Sequence, residues 1–132
     1  MTIEIKNRNK FVLEIPGIYS FAVKSILQKP VYKKRTFNFL NKKTLKTEGD
    51  LIVECHSFVS PSIIQQAYVL ALEGKSFDIM EKGLDPPGSI ISLIHYKNCS
   101  LKEFQISSSD YSSNECEFLT LKFKVKEMLL EF

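Results

Sequence analysis

The sequence predicts a mainly β domain in which two antiparallel sheets pack together, as a sandwich or barrel, with one α-helix on the flank. Apolar and polar residues alternate along several short segments, which is the pattern of strands with one face on the core and one in water. A single segment has helical spacing and capping residues at both ends. The chain has 132 residues, of which 44% are hydrophobic and 25% are charged. This size and composition are typical of one globular domain, which we expect to span residues 1–132.

The strand predictions follow the alternation in chain order. The first strand carries Phe11, Leu13 and Ile15 on one face and stops at Pro16-Gly17. The last strand shows the clearest alternation, because its apolar residues all fall on one face and lysines on the other. Those apolar residues, which we expect in the core, are Leu119, Leu121, Phe123 and Val125. The strands between them are predicted at 19–24, 51–56, 76–80 and 90–96.

One helix is predicted between the strands at 51–56 and 76–80. Ser60 or Ser62 caps its N-terminus, and Pro61 lies where a missing N–H costs nothing. Gly74 is the predicted C-terminal stop. The side that faces the core is predicted from five residues at helical spacing: Ile63, Ile64, Ala67, Leu70 and Ala71.

Three polar segments are predicted to be connections. Asp85-Pro86-Pro87-Gly88 is a hairpin turn, and residues 107–114 form a serine-rich loop. Residues 36–50 are basic and show little alternation after Leu40, so we expect a long loop there. Loops of this length in a small β domain are commonly functional or ordered by a partner.

The charge pattern leaves two interpretations of one basic cluster open. The chain has 18 basic and 15 acidic residues, and the net charge of +3 is mild for a dedicated nucleic-acid binder. Basic residues concentrate between Lys29 and Arg35 and again at Lys42, Lys43 and Lys46. Such a run is either a solvated loop face or a phosphate-binding patch.

Motifs for catalysis are absent from the sequence, so we expect no enzyme, no cofactor and no metal. No GxSxG, glycine-rich phosphate loop, HExxH or DxDxDG occurs. The cysteines Cys55, Cys99 and Cys116 form no CxxC pair, and we expect reduced, mostly buried thiols. No apolar run of about 18 residues and no secretory signal is visible, so we expect no membrane partner.

A series of short motifs follows in a distinctive order. Glu14-Ile15-Pro16-Gly17 is an EIPG turn, and the next strand begins Phe21-Ala22-Val23-Lys24-Ser25-Ile26 and ends at Pro30. The other motifs are Gln65-Gln66-Ala67-Tyr68 at the helix entry, Leu84-Asp85-Pro86-Pro87-Gly88, Asn98-Cys99 followed by Phe104, and Asp110-Tyr111-Ser112-Ser113-Asn114-Glu115. This order, which covers nearly the whole chain, resembles the tail tube proteins of contractile-tailed bacteriophages, which are related to the tube proteins of type VI secretion and other contractile injection systems.

The resemblance implies a structural protein of the virion. Its subunits would join edge to edge into hexameric rings, and the rings would stack into the DNA-conducting inner tube of a contractile tail. The implied partners are further copies of the chain, the tail sheath protein, and the baseplate and tail terminator proteins. The tape measure protein and viral DNA would occupy the lumen. The implied location is the tail tube, assembled in the host cytoplasm.

Two segments are the candidate contact sites. The resemblance assigns the predicted long loop to contacts with the next ring, through Thr36, Asn41, Lys42, Lys43, Lys46 and Asp50. The serine-rich loop is a candidate for contacts between subunits, through Asp110, Tyr111 and Asn114.

Several other functions remain open at the level of sequence. The same fold could serve as a tube or tube-initiating ring protein of a type VI secretion or extracellular injection system. A small β-barrel binding module is a second possibility, and an enzyme using His95 or Cys99 at a sheet rim is a third. Ring formation in size-exclusion chromatography distinguishes a tube subunit from a monomeric carrier.

Overall fold

Nine β-strands and one α-helix make up the part of the chain that the computed structural model describes, which is residues 10–37, 42–57, 62–85, 87–107 and 117–131. The strands are β1 (Phe11–Glu14), β2 (Val23–Gln28), β3 (Val31–Phe37), β4 (Lys42–Glu48), β5 (Asp50–His56), β6 (Phe77–Leu84), β7 (Ile90–Ile106), β8 (Phe118–Lys124) and β9 (Glu127–Glu131). The helix is α1 (Ile63–Glu73), and no helix of the described residues has the length and hydropathy needed to cross a membrane.

The long strand β7 joins two layers of antiparallel strands. Seven strands form one sheet. Six of them follow the order β1-β6-β7-β8-β5-β2, and the seventh, β9, pairs with β7. The first half of β7 lies between β6 and β9, and its second half pairs with β8. The mainly β fold is therefore confirmed, and the two predicted sheets are halves of one continuous sheet. Strands β3 and β4 form a separate two-stranded sheet.

β7 changes partner at Asn98. Cys99 is the last residue that pairs with β6, and Ser100 begins the pairing with β8. Asn98 has φ 51, a left-handed conformation that asparagine tolerates better than most residues. Its backbone N–H donates to Asp78 Oδ1 at 3.0 Å, which fixes the backbone at the point where the strand crosses from one layer to the other.

The core lies between the two layers. Leu119, Leu121 and Phe123 of β8 are fully buried, as predicted, and Val125, which follows the strand, is nearly so. The Phe77 ring of β6 meets the Phe123 ring edge to face, with centroids 5.9 Å apart. The core therefore unites the inner faces of both layers in one cluster.

Two strand predictions differ from the structure at their ends. The prediction of a strand at 19–24 is wrong for its first half, because Ser20–Ala22 form a 3-10 turn and β2 begins only at Val23. The Ala22 N–H donates to the Tyr19 carbonyl at 3.0 Å, and this local bond replaces strand pairing. The predicted last strand is also not the end of the sheet, since β9 follows after a bend at Lys126.

The helix begins and ends where its capping residues predict. Ser62 Oγ accepts the backbone N–H of Gln65 at 3.2 Å, and Gly74 adopts the left-handed conformation of a helix stop. Ile63 and Ala67 are buried, and Ile64 and Leu70 pack against the core. Ala71, predicted on the same face, is exposed, because the helix covers the sheet with only its first two turns and part of the third.

Candidate functional site: the hairpin arm

Residues 31–48 form a two-stranded antiparallel hairpin, hereafter the arm. Val31 pairs with Glu48 at its root, and Phe37 pairs with Lys42 at the last described pair. The prediction of a long loop at 36–50 is therefore wrong. Alternation is weak here because Lys33 and Lys46 on one face and Lys34 and Leu45 on the other are all exposed, so neither face needs to be apolar at these positions.

The residues of the predicted inter-ring loop fall on three different elements. Thr36 lies in β3, whereas Lys42, Lys43 and Lys46 lie in β4. Asp50 is the first residue of β5, where its carboxylate is 3.5 Å from Lys102 Nζ. Asn41 lies outside the described residues.

The root of the arm is held against β9. The Tyr32 hydroxyl donates to the backbone carbonyl of Met128, and the backbone N–H of Met128 donates to Thr47 Oγ1 at 3.1 Å. Tyr32 and Thr47 face each other across the hairpin, so one face of the arm is tied to a single residue of the sheet. Burial, together with the nearby charge of Glu127, raises the pKa of Tyr32 and keeps its hydroxyl a donor.

The two crossings between arm and sheet differ in their backbones. Pro30, between β2 and β3, is buried and has a fixed φ. Gly49, between β4 and β5, has φ 102, and a Cβ at this position would lie 3.8 Å from the Pro30 Cα. A side chain at Gly49 would therefore be strained by its backbone conformation more than by space.

A partly buried ion pair links Lys29, just before the arm, to the other layer. Lys29 Nζ donates to Glu81 Oε2 at 2.9 Å, and the Tyr96 hydroxyl donates to Glu81 Oε1 at 2.8 Å. Glu81 is 5% exposed, and both of its oxygens have partners, as a buried carboxylate requires. Burial and the Glu81 carboxylate raise the pKa of Tyr96, so the hydroxyl remains a donor.

Beyond its root the arm exposes charge and apolar surface together. Lys33, Lys34, Leu45 and Lys46 are all exposed, and Leu45 is 63% exposed. Lys33 Nζ is 2.5 Å from Glu48 Oε2, and this contact raises the pKa of Lys33 and lowers that of Glu48.

The residues of the second predicted contact loop, Asp110, Tyr111 and Asn114, lie outside the described residues. The ends of the loop are described. The Ser107 N–H donates to the Phe118 carbonyl at 2.9 Å, and the Phe118 N–H donates to Ser107 Oγ at 3.0 Å. The two ends of the loop are therefore hydrogen-bonded to each other, next to the pairing of β7 with β8.

Free strand edges are a second means of contact. Within the described sheet, β1, β2 and β9 each pair on one side only. Edge strands present unpaired N–H and C=O groups that can pair with another chain. Sequence reasoning missed β9, since its five residues Glu127–Glu131 carry too short an alternation to be distinguished from a tail.

Exposed apolar side chains form a further surface on and near α1. Tyr68, Val69 and Leu72 point outward from the helix with exposed fractions of 56%, 45% and 68%. Tyr19 and Phe21 stack with centroids 5.2 Å apart on the 3-10 turn, which Gln66 of the helix contacts through its bond to the Tyr19 N–H. The signal in the sequence was a helix with apolar residues on both faces, which is typical of a helix covered on both sides.

The polar residues that could support catalysis are engaged elsewhere. An open groove of about 490 Å³ is lined by Glu14, Asp78, His95 and Lys97 among others. Asp78 accepts the Asn98 N–H and pairs with Lys97, which together lower its pKa. Burial raises the pKa of Cys55 and of Cys99 to about 12, so both thiols are neutral near pH 7. Among the described residues, no group of three His, Cys, Asp or Glu side chains could hold a metal ion.

Solved structures with the same architecture come from contractile injection systems. No model of a known protein family and no curated protein sequence matches the chain. The tube-terminating cap of the anti-feeding prophage matches with a TM-score of 0.67 at 11% identity over 99% of this chain and 93% of that one. A chain of the sheath–tube complex of PVC, an extracellular contractile injection system, matches with 0.61 at 10% identity over 96% and 91%. Hcp1 from Flavobacterium johnsoniae matches with 0.62 at 12% identity over 92% and 94%. The chain therefore has the Hcp-like tube fold of contractile injection systems, which confirms the fold that the sequence resemblance implied.

Proposed function

We propose that this chain is a tube subunit of a contractile injection system, and that its copies form hexameric rings which stack into a tube. The observation that carries the proposal is the arm, which forms its own two-stranded sheet beside a body with the tube fold and exposes Lys33, Lys34, Leu45 and Lys46. A two-stranded hairpin alone is marginally stable in water, so an arm of this kind is expected to be completed by a partner. A neighbouring ring would supply that partner.

The free strand edges of the sheet suit the assembly of subunits side by side within a ring. A ring of subunits that pair β-strand to β-strand removes exposed edges, as closure of a barrel does. The exposed apolar side chains of α1 and of the 3-10 turn would also be covered by a neighbour or by the surrounding sheath. Edges would thus form rings, and arms would join one ring to the next.

The proposed role is structural and includes no catalytic step. The sequence motifs favour a phage tail, in which a sheath surrounds the tube, and baseplate and terminator proteins bound it. The tape measure protein and viral DNA would then occupy the lumen, and the protein would reside in the tail tube of the virion. A type VI or extracellular injection system, with protein cargo, is the alternative with the same fold.

Electron microscopy of the purified protein tests the proposal. The variant replaces residues 35–44 with Asn-Gly, which closes a two-residue turn between the paired residues Lys34 and Leu45. The native chain is expected to form tubes, and the variant to form rings that do not stack. Circular dichroism of the variant should retain the β spectrum of the large sheet, because the buried residues of β5, β6, β7 and β8 are all kept. A native chain that remains monomeric at high concentration, without rings in micrographs, would contradict the proposal.

A further inference from the structure

Charge is divided unevenly between the arm and the rest of the chain. The arm, residues 31–48, has six basic residues and one acidic residue, which give it a net charge of +5. The remaining residues include 12 basic and 14 acidic side chains, so their net charge is −2. The positive net charge of the whole protein therefore comes from the arm.

Two lysines of the arm are placed directly opposite each other. Lys33 of β3 pairs in register with Lys46 of β4, and both side chains are exposed. Like charges at directly opposed positions destabilise a pair of strands. Glu48 contacts Lys33 at 2.5 Å, and the charge of Lys46 also lowers the pKa of Glu48, so a single carboxylate offsets part of the repulsion between two lysines. The isolated subunit thus carries an arrangement that an external anionic group would stabilise.

We propose that the lysine pair Lys33/Lys46 binds carboxylates on the acidic body of a second copy of this chain, so that rings stack through salt-sensitive ion pairs. This inference rests on the proposed function. Within a ring every body carries the same net negative charge and every arm the same positive charge. Head-to-tail stacking brings the opposite charges together and keeps the like charges apart.

The composition of the arm favours a protein surface over nucleic acid as the partner. Val31, which is 51% exposed, lies on the same face of the ribbon as the two lysines, and Leu45, which is 63% exposed, lies on the other face. Protein interfaces combine apolar contacts with charged rims. Contacts to a phosphate backbone depend on charge and hydrogen bonds and gain little from an exposed leucine.

The decisive variant is the double substitution Lys33→Gln/Lys46→Gln. Removal of the opposed charges should leave the fold of the isolated subunit as stable as before or more so, while stacking is weakened. A merely structural role of these lysines would change stability and stacking in the same direction. The matched control, Lys75→Gln/Lys126→Gln, removes the same charge from two exposed positions of the body.

Tube lengths are measured in micrographs at about 50 mM and about 500 mM NaCl, since ionic screening shortens the reach of exposed charges severalfold over this range. Native and control tubes should be long at low salt and break into shorter stacks and rings at high salt. The double variant should form rings with few stacks at either salt, with an unchanged or higher midpoint of thermal unfolding.

If the native protein and the double variant both form tubes whose length does not depend on salt, the proposed ion pairs between rings are wrong. The proposed tube function would not be contradicted by that result. Absence of rings in every sample would overturn the tube function and the inference with it. A gel-shift titration with short duplex DNA completes the test. If the native protein binds DNA and the double variant does not, while the double variant still stacks as the native protein does, the lysines bind nucleic acid. That result would overturn the proposal.

Discussion

Glu81 shows how one residue can connect distant parts of the chain. Sequence alternation predicted a strand at 76–80, which stops just before Glu81. The strand in fact extends to Leu84, and Glu81 points inward between Tyr96 and Lys29. Lys29 lies 52 positions away in sequence, so only the tertiary structure shows that this carboxylate has partners. The core positions Leu121 and Phe123, by contrast, were predicted correctly because their alternation is uninterrupted.

At the residue scale, Tyr96→Phe should destabilise the protein by about 1–3 kcal/mol, since it leaves a buried carboxylate oxygen without its donor. Tyr68→Phe is the matched control, because it removes the same hydroxyl from a side chain that is 56% exposed, and its effect should be within about 0.5 kcal/mol. Urea unfolding of both variants measures the difference. Equal stabilities would mean that the Tyr96 hydroxyl contributes nothing to holding Glu81.

Among the elements, those with local signals were predictable and those without were not. The helix and the Asp85–Ser89 turn are specified by their own residues, as the Ser89 N–H bond to Asp85 Oδ1 at 2.7 Å illustrates. The arm carries no such signal, because a ribbon exposed on both faces can have any polar sequence. β7 was predicted to end at Tyr96, yet it continues for ten more residues by changing partner. No local pattern encodes a change of partner.

The helix cap allows a test at the element scale. Ser62→Ala removes the oxygen that accepts the Gln65 N–H and should destabilise the protein by about 1 kcal/mol. Ser76→Ala, at an exposed position just before β6, is the control and should have little effect. The midpoints of urea unfolding give both values. A loss of stability in the control as large as in Ser62→Ala would show that the cap is not the cause.

For the molecule as a whole, the shared strand makes the two layers one cooperative unit. Neither layer can lose β7 without the other losing it too, so both should unfold in a single transition, whereas the arm can open alone. The fold class was predictable because alternation reports burial strand by strand. The order of the strands was not, since register and partner depend on contacts between distant segments.

Amide hydrogen exchange of the isolated subunit measures this cooperativity. Ile94 and Tyr96, in the half of β7 that has neighbours on both sides, should exchange only when the whole protein unfolds. Lys33 and Lys46 of the arm should exchange faster by orders of magnitude. Arm amides that are protected as strongly as those of β7 in a monomeric sample would contradict this view.

The root of the arm also determines where a mechanical load goes. The two strands of the arm continue, past Pro30 and Gly49, into β2 and β5, which pair with each other in the sheet. A pull on the arm is therefore carried first by the hydrogen bonds between β2, β5 and β8, and the Lys29–Glu81 pair passes part of it to the opposite layer. Because these contacts share the load between both layers, the whole sheet resists tension on the arm. In the proposed tube, tension between stacked rings would enter each sheet by this route.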